Sequence, residues 1–328
     1  MTRANPPGAA PGWAAPRWAA PWFLALCLVL VAAPLAWPQI PPLTDLPGHL
    51  GRYKIAADLA QSPYLARFYG FEWALLPNLG VDLLMLPLAR LLDIELALKL
   101  IVLLIPVLTL LGLLWMQWED QGRIQPGFLF AAPLILGYPF QFGFLNYVLS
   151  MALAFLAAGL WQYLARVGRL RLRLVVFVPV AAVVWVAHAA GWGTLGLLAF
   201  AFEATRQRAQ GHGLPTAALR AALACLPLAT PWLLALAWQS GGLATVTRDW
   251  FDLPWKLLAI LAVLRDRWAA FDVASAVLLL GVVVLALRSR RLGFAPGLAL
   301  AAGLHGLAFL AMPQILLGSS HADIRMAP

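Results

Sequence analysis

The stretch that decides the fold is IQPGFLFAAPLILGYPFQFGFLNYVLSMALAFLAAGLWQYLA, Ile124 to Ala165, 42 consecutive residues without a charged side chain. Its second part, Phe144 to Ala165, exceeds the roughly 20 apolar residues that a helix needs to cross a bilayer. The piece ahead of the interruption GYPFQFGFLN, Phe128 to Tyr138, is 11 residues. At 1.5 Å per residue that is about 16 Å of helix, roughly half of a ~30 Å hydrocarbon core. It is expected as either a re-entrant half-helix or a short, distorted span.

The same pattern extends through the chain. Of 328 residues, 62% are hydrophobic and 11% charged, with a mean hydropathy of +0.82, whereas a soluble domain carries about 25% charged residues. A soluble fold of this size could not hide so much apolar surface. This excludes a soluble enzyme, a nucleic-acid-binding module, a disordered tail and a disulfide scaffold. The net charge of +9 is almost all arginine, and in a membrane protein it supplies loop cations that meet anionic headgroups and set topology. Cys27 and Cys225 lie inside apolar runs and read as small hydrophobes.

The expected class is therefore an all-α, polytopic transmembrane bundle. Residues 1–17, rich in Pro, Ala and Gly, read as a disordered tail, residues 18–318 as the membrane domain and residues 319–328 as a short polar tail. Trp18 to Trp37 is an uncharged run of 20 residues bracketed by tryptophans and reads as an uncleaved anchor, a cleaved signal peptide ending at AAPLAW being the competing reading. Further spans are expected at about 75–92, 96–118, 144–165, 174–202, 216–239, 269–287 and 295–317, eight full spans plus the short one. The segment 38–74 is the longest polar stretch. Its proline positions and its aromatics Tyr64, Phe68, Tyr69, Phe71 and Trp73 predict two interfacial helices in an extracytoplasmic first loop. Orientation beyond it stays open. Either Arg166, Arg169, Arg171 and Arg173 or Arg288, Arg290 and Arg291 fall on the outer side, depending on how 128–138 is treated.

The first loop opens with Thr44-Asp45-Leu46-Pro47-Gly48-His49-Leu50-Gly51-Arg52. On a helix Asp45, His49 and Arg52 stand at i, i+4 and i+7, one face. An acid, an imidazole and a guanidinium there supply a general base, a proton-holding partner and an anion clamp. The competing reading makes Asp45 a helix cap and the other two its wet face. Asp82, at the mouth of a span, either lines a cavity or reaches the interface. His188 and His305 either touch a ligand or hydrogen-bond between helices. Asn146 follows the proline break, where it can satisfy freed backbone groups. Asp249, Asp252, Arg265, Asp266 and Arg267 read as solvated surface. His321, Asp323 and Arg325 form a polar cluster that would complete the site if it meets Asp45. No Walker-type loop, dinucleotide fingerprint or zinc-protease motif is present.

A first membrane helix followed by a long outer loop with an early acid resembles the GT-C superfamily of integral membrane glycosyltransferases. Asp45-Leu-Pro-Gly-His49-Leu-Gly-Arg52 is similar to that group's first-loop motif. Pro77-Asn78-Leu79-Gly80-Val81-Asp82 and Gly137-Tyr138-Pro139 before Phe142-Gly143-Phe144-Leu145-Asn146-Tyr147 are similar to segments of its multi-spanning members. The likeness covers the first half of the chain best, and the chain is shorter than many members.

The resemblance implies sugar transfer from a polyprenyl-phosphate donor to a glycan, lipid or protein acceptor outside the membrane, here a bacterial plasma membrane. Asp45 matches the base that takes the acceptor proton. His49, Arg52, Asn78, Asp82, His188, His321, Asp323 and Arg325 are the expected substrate-binding residues. Lacking a second acid beside Asp45, the chain is expected to use no metal and no cofactor. The alternatives are a permease with a path past Asp82 and His188, or a non-catalytic relative.

Overall fold

The computed structural model describes residues 17–237, 246–265, 267–289 and 293–326. The N-terminal tail to residue 16, Asp266, Arg290, Arg291 and the last two residues lie outside the described residues, as do positions 238 and 239 of one expected span. Among the described residues the chain is helical, with only two isolated β-bridges, Arg248 with Ile315 and Leu316 with Ser319.

In chain order the helices are α1 Pro21–Ala36, α2 Leu46–Asp58, α3 Gly80–Leu91, α4 Ile94–Gln121, α5 Phe128–Ala131, α6 Tyr138–Phe142 and α7 Leu145–Arg166. There follow α8 Leu170–Ala187, α9 Ala189–Ala209, α10 Leu214–Ala224, α11 Thr230–Ala237, α12 Leu253–Leu261, α13 Ala269–Arg288 and α14 Pro296–Ala311. Four of them, α4, α7, α8 and α13, are long and apolar enough to cross a membrane, and the bent pair α10–α11 makes a fifth if taken as one span. Helices α1 and α14 and the segment Phe128–Phe142 are apolar but shorter.

The core is built around α7, whose apolar window is 61% buried, whereas that of α13 is 6% buried and faces outward. Helices α4 and α7 run parallel: Gly112 lies against Phe155, Gly159 against Trp115, and Arg166 donates from Nε to Glu119 at 2.6 Å. Two consecutive long helices can run parallel only if the chain between them returns along the bundle. The interval 122–144 makes that return as α5, a 3-10 turn and α6. Residues 122–144 thus lead from the C-terminal end of α4 to the N-terminal end of α7.

Three expectations change. The 75–92 span is α3, only 12 helical residues, or about 18 Å. Its first turn is tied to α7 and its last turn shares a cavity with α2, so both of its ends lie at the α2 end of the bundle. The 174–202 span is two antiparallel helices, α8 and α9, that break at His188, whose φ of −169° is extended backbone. Twenty-nine residues would make a helix of about 43 Å, too long for one crossing; no proline stands at the break, and Gly191 and Gly193 follow it in the first turns of α9. In the first loop, a three-residue 3-10 turn, Leu65–Arg67, stands where a second helix was expected. Gly70 and Pro77 frame a non-helical run there, with Phe71 and Trp73 edge-to-face at 5.1 Å between ring centres.

The opposite end of the bundle collects Arg166, Arg169, Arg173, Arg206 and Arg208. Arg173, only 2% exposed, pairs with buried Glu203 at 3.3 Å and lies 4.0 Å over the Trp161 ring. Arg206 also pairs with Glu203.

Candidate functional site

Asp45 stands where the chain leaving α1 meets the break between α6 and α7. Thr44 donates its backbone N–H to Gln141 and Asp45 to Phe142, at 3.1 and 2.9 Å. This pairing needs Gly143, which takes a φ of +89°; a Cβ there would stand 3.0 Å from the Asp45 nitrogen. Asp45 occupies the N-cap position of α2, but its side chain makes no capping hydrogen bond. The carboxylate is half-buried and has no hydrogen-bond or ion-pair partner among the described residues. The capping alternative therefore does not account for the acid.

One helical turn on, His49 stacks on Tyr53 with ring centres 6.2 Å apart. Burial, followed by the neighbouring Arg52 charge, holds the His49 imidazole below its ordinary value, against the opposing charges of Asp82 and Asp45. Thr44, Asp45, Gly48, His49 and Arg52 line a shallow, open depression of about 400 Å³.

The facing half comes from the other end of the sequence. Arg265 donates from an Nη to Thr44 Oγ1 at 2.7 Å and lies over the rings of Phe142 and Tyr138, at 4.6 and 5.3 Å. His321 sits among Phe142, Trp255, Phe144 and Tyr138, with ring centres 5.2, 5.3, 5.8 and 6.5 Å away. Arg325 lies 4.7 Å over Phe144 and donates to Ser319 Oγ at 2.8 Å. Tyr147 donates its hydroxyl to the Arg325 carbonyl at 3.1 Å.

Burial and then the Arg325 charge push the His321 imidazole below its usual value; Asp323 and Asp45 oppose them, and Arg265 adds to them. Arg265 and His321 both adopt left-handed backbone, φ 52° and 61°, at a cost of about 1–3 kcal/mol each for residues with a side chain. Two buried donors beside this aromatic box, Arg325 Nε and Trp255 Nε1, have no hydrogen-bond partner.

The structure thus brings Asp45, His49, His321 and Arg325 to one place and adds Arg265, which sequence reasoning had placed on the solvated surface. Nothing local distinguishes Arg265 from Arg248 or Arg267; only the fold carries it to a residue 221 positions away. Asp266 of the same loop lies outside the described residues.

Arg52, Asn78 and Asp82 belong to a neighbouring knot. Arg52 pairs with buried Asp82 at 2.6 Å and reaches the Tyr53 hydroxyl at 3.2 Å. Asn146 donates to Asp82 at 3.1 Å and to the Asn78 carbonyl at 2.7 Å, and accepts the Val81 N–H at 2.6 Å. Asp82 is thereby neutralised and held, and Asn78 takes part through its backbone. Desolvation and the Asp82 charge push the Tyr53 phenol up to about 12, so it stays protonated.

Asp323 and His188 are committed elsewhere. Asp323 is fully buried and pairs with Lys256 at 2.9 Å. His188 uses Nδ1 to accept the Ala190 N–H at 3.0 Å, capping α9, and packs edge-on against Tyr147. His305 binds the Ala301 carbonyl of its own helix through Nδ1 at 2.8 Å. Both cysteines are free thiols. Among the described residues no group of three His, Cys, Asp or Glu side chains is placed to hold a metal ion. Comparison with protein-family models, with curated proteins and with solved structures returned no match.

Proposed function

We propose that the chain is a multi-pass membrane glycosyltransferase that takes its sugar from a lipid-phosphate donor, with the α2 end of the bundle on the extracytoplasmic side. The single observation that carries this reading is the unpartnered Asp45 carboxylate set against two guanidinium groups, Arg265 and Arg325, across a floor of aromatic rings. In the proposed step the acceptor hydroxyl attacks the anomeric carbon. The new C–O bond forms as the bond from that carbon to the phosphate oxygen breaks, and the polyprenyl phosphate leaves with the electron pair. Asp45 takes the hydroxyl proton. Arg265 and Arg325 receive the charge that develops on phosphate, where charge-assisted hydrogen bonds strengthen most. Tyr138, Phe142 and Phe144 offer ring faces to the sugar, while His49 and His321 remain neutral donors.

On this reading the chain crosses nine times, by α1, the broken 122–144 interval, α9, the α10–α11 pair and α14 beside the four long helices, with α3 not among them. The short, arginine-bearing connectors at the opposite end favour a cytoplasmic side there, consistent with a bacterial plasma membrane. The permease reading draws no support from Asp82, which is held by Arg52 and Asn146, while His188 caps α9 through Nδ1. The non-catalytic reading would be favoured by an Asp45 that faces no open space; here it lines a shallow depression with Thr44, Gly48, His49 and Arg52.

The test is transfer by the purified protein in lipid vesicles, using a panel of polyprenyl-phosphate hexoses and a hydroxylated glycan acceptor. Asp45→Asn is expected to lower turnover at least about a hundredfold, the lower range for a positioned general base, with helicity unchanged. Full activity in Asp45→Asn removes the acid from the mechanism, and no turnover of any donor by the wild type overturns the reading.

A further inference from the structure

The segment that supplies His321 and Arg325 lies at the end of a non-helical stretch whose regular pairing stops before it. The stretch follows α14 until a 3-10 turn at Ile324–Met326. Its first part, to Gly318, is paired with residues 246–249 through the Arg248–Ile315 bridge and the Gln314 and Gly318 N–H groups. Beyond Ser319 the backbone is held by the Ala322 N–H to Gln314, the Met326 N–H to Asp323 and the Tyr147 hydroxyl to the Arg325 carbonyl. Yet it must keep two side chains facing Asp45.

Beneath it lies a feature that the proposed chemistry leaves unused. Lys256 is 2% exposed, and its ammonium is saturated by three acceptors: the Phe309 carbonyl at 2.7 Å, the Met312 carbonyl at 2.9 Å and Asp323 Oδ2 at 2.9 Å. It also lies 4.9 Å from the Phe309 ring. The second oxygen of Asp323 accepts the Ile324 N–H at 2.9 Å. One cation thereby joins three pieces of chain: α12, the C-terminal turn of α14, and the residue midway between His321 and Arg325. Lys256 is also the immediate neighbour of Trp255, which forms a wall of the His321 box. Buried ion pairs are poor sources of net stability compared with apolar packing, and in some proteins they serve instead to fix one arrangement.

We infer that the Lys256–Asp323 pair is the latch that sets the anion-binding half of the site, making Lys256 a positioning residue. This rests on the lipid-phosphate reading above only for the identity of the ligand. The experiment uses the full chain in nanodiscs and two variants, Asp323→Asn and the apolar pair Lys256→Met with Asp323→Leu. Two readouts are taken: hydrogen exchange of the Ala322 and Met326 amides, and binding of polyprenyl monophosphate.

In both variants these amides are expected to exchange faster and binding to weaken about tenfold or more, the loss of a charged hydrogen bond. The melting temperature of the apolar pair stays near wild type, which separates positioning from stability. Wild-type exchange and binding in a folded variant overturn the latch. So does faster exchange with unchanged binding, provided that Arg325→Ala abolishes binding. If the wild type binds no polyprenyl monophosphate, the donor reading fails by itself; exchange then decides the latch, and unchanged protection refutes it.

Discussion

Replacing Asn146 with alanine removes three hydrogen bonds that tie α3 to α7, and their geometry sets the size of the effect. The side-chain oxygen accepts from Val81, a fully buried residue whose N–H, in the first turn of α3, has no acceptor within the helix. The amide nitrogen donates to the Asn78 carbonyl and the Asp82 carboxylate, which also fixes the orientation of the amide, since the reverse would set oxygen against two acceptors. Each such bond contributes about 0.5–1.5 kcal/mol net, and leaving a buried N–H unpaired costs about 1–3 kcal/mol. Side-chain bonds between membrane helices sit at the low end of such ranges. The expected loss for Asn146→Ala is therefore about 2–4 kcal/mol.

Asn146→Asp is expected to be worse, although it is nearly isosteric and keeps the acceptor for Val81. Its second oxygen would stand about 3 Å from the Asp82 carboxylate and the Asn78 carbonyl, and Arg52 is already committed to Asp82. Equilibrium unfolding in mixed micelles, followed by helicity, measures both variants. Alanine within about 0.5 kcal/mol of wild type, or aspartate as stable as alanine, would refute the account of this knot.

Gly191→Ala places a Cβ 2.6 Å from the Ser150 carbonyl carbon, at a close approach of α9 to α7; a loss of about 1–3 kcal/mol is expected, whereas Gly196→Ala, with open space around it, is near neutral in the same assay. The folded values of His49 and His321 both lie below the ordinary imidazole value, so the unfolded chain takes up those protons first. Their contribution to stability is complete above about pH 6.5 and is lost as pH falls from there through the lower folded values. Melting temperature measured against pH is expected to fall on that side, and a His49→Gln, His321→Gln double variant should flatten the slope; an unchanged slope counts against both assignments.

What the sequence made legible was local. A 3.6-residue period puts Asp45 and His49 on adjacent turns wherever the helix begins, and one helix, α2, forms close to the expected place. Arg52 shares that face, but a charge on a long side chain goes where an opposite charge is buried, and Asp82 lies 2.6 Å away. Asp323 looked like a ligand-binding acid because it stands in a polar run. Its partner is Lys256, 67 positions earlier in the chain, and no local pattern announces such a pair. His188 looked like the middle of one long span because hydropathy is continuous across a tight helical reversal; only length argued for the break.

Hydropathy alone determined that this is a helical chain with segments suited to a bilayer, because apolar area on that scale has no other shelter. It also marked the first loop and the run from His321 to Arg325 as polar clusters flanked by long apolar stretches. The tertiary structure decided that those two regions meet. The parallel run of α4 and α7 forces residues 122–144 back along the bundle, and that return places Phe142 and Gly143 under Asp45. It also brings Arg265 and the His321–Arg325 segment onto the same aromatic floor. Contacts of that kind depend on helix direction and packing depth, which a pattern of apolar residues does not encode.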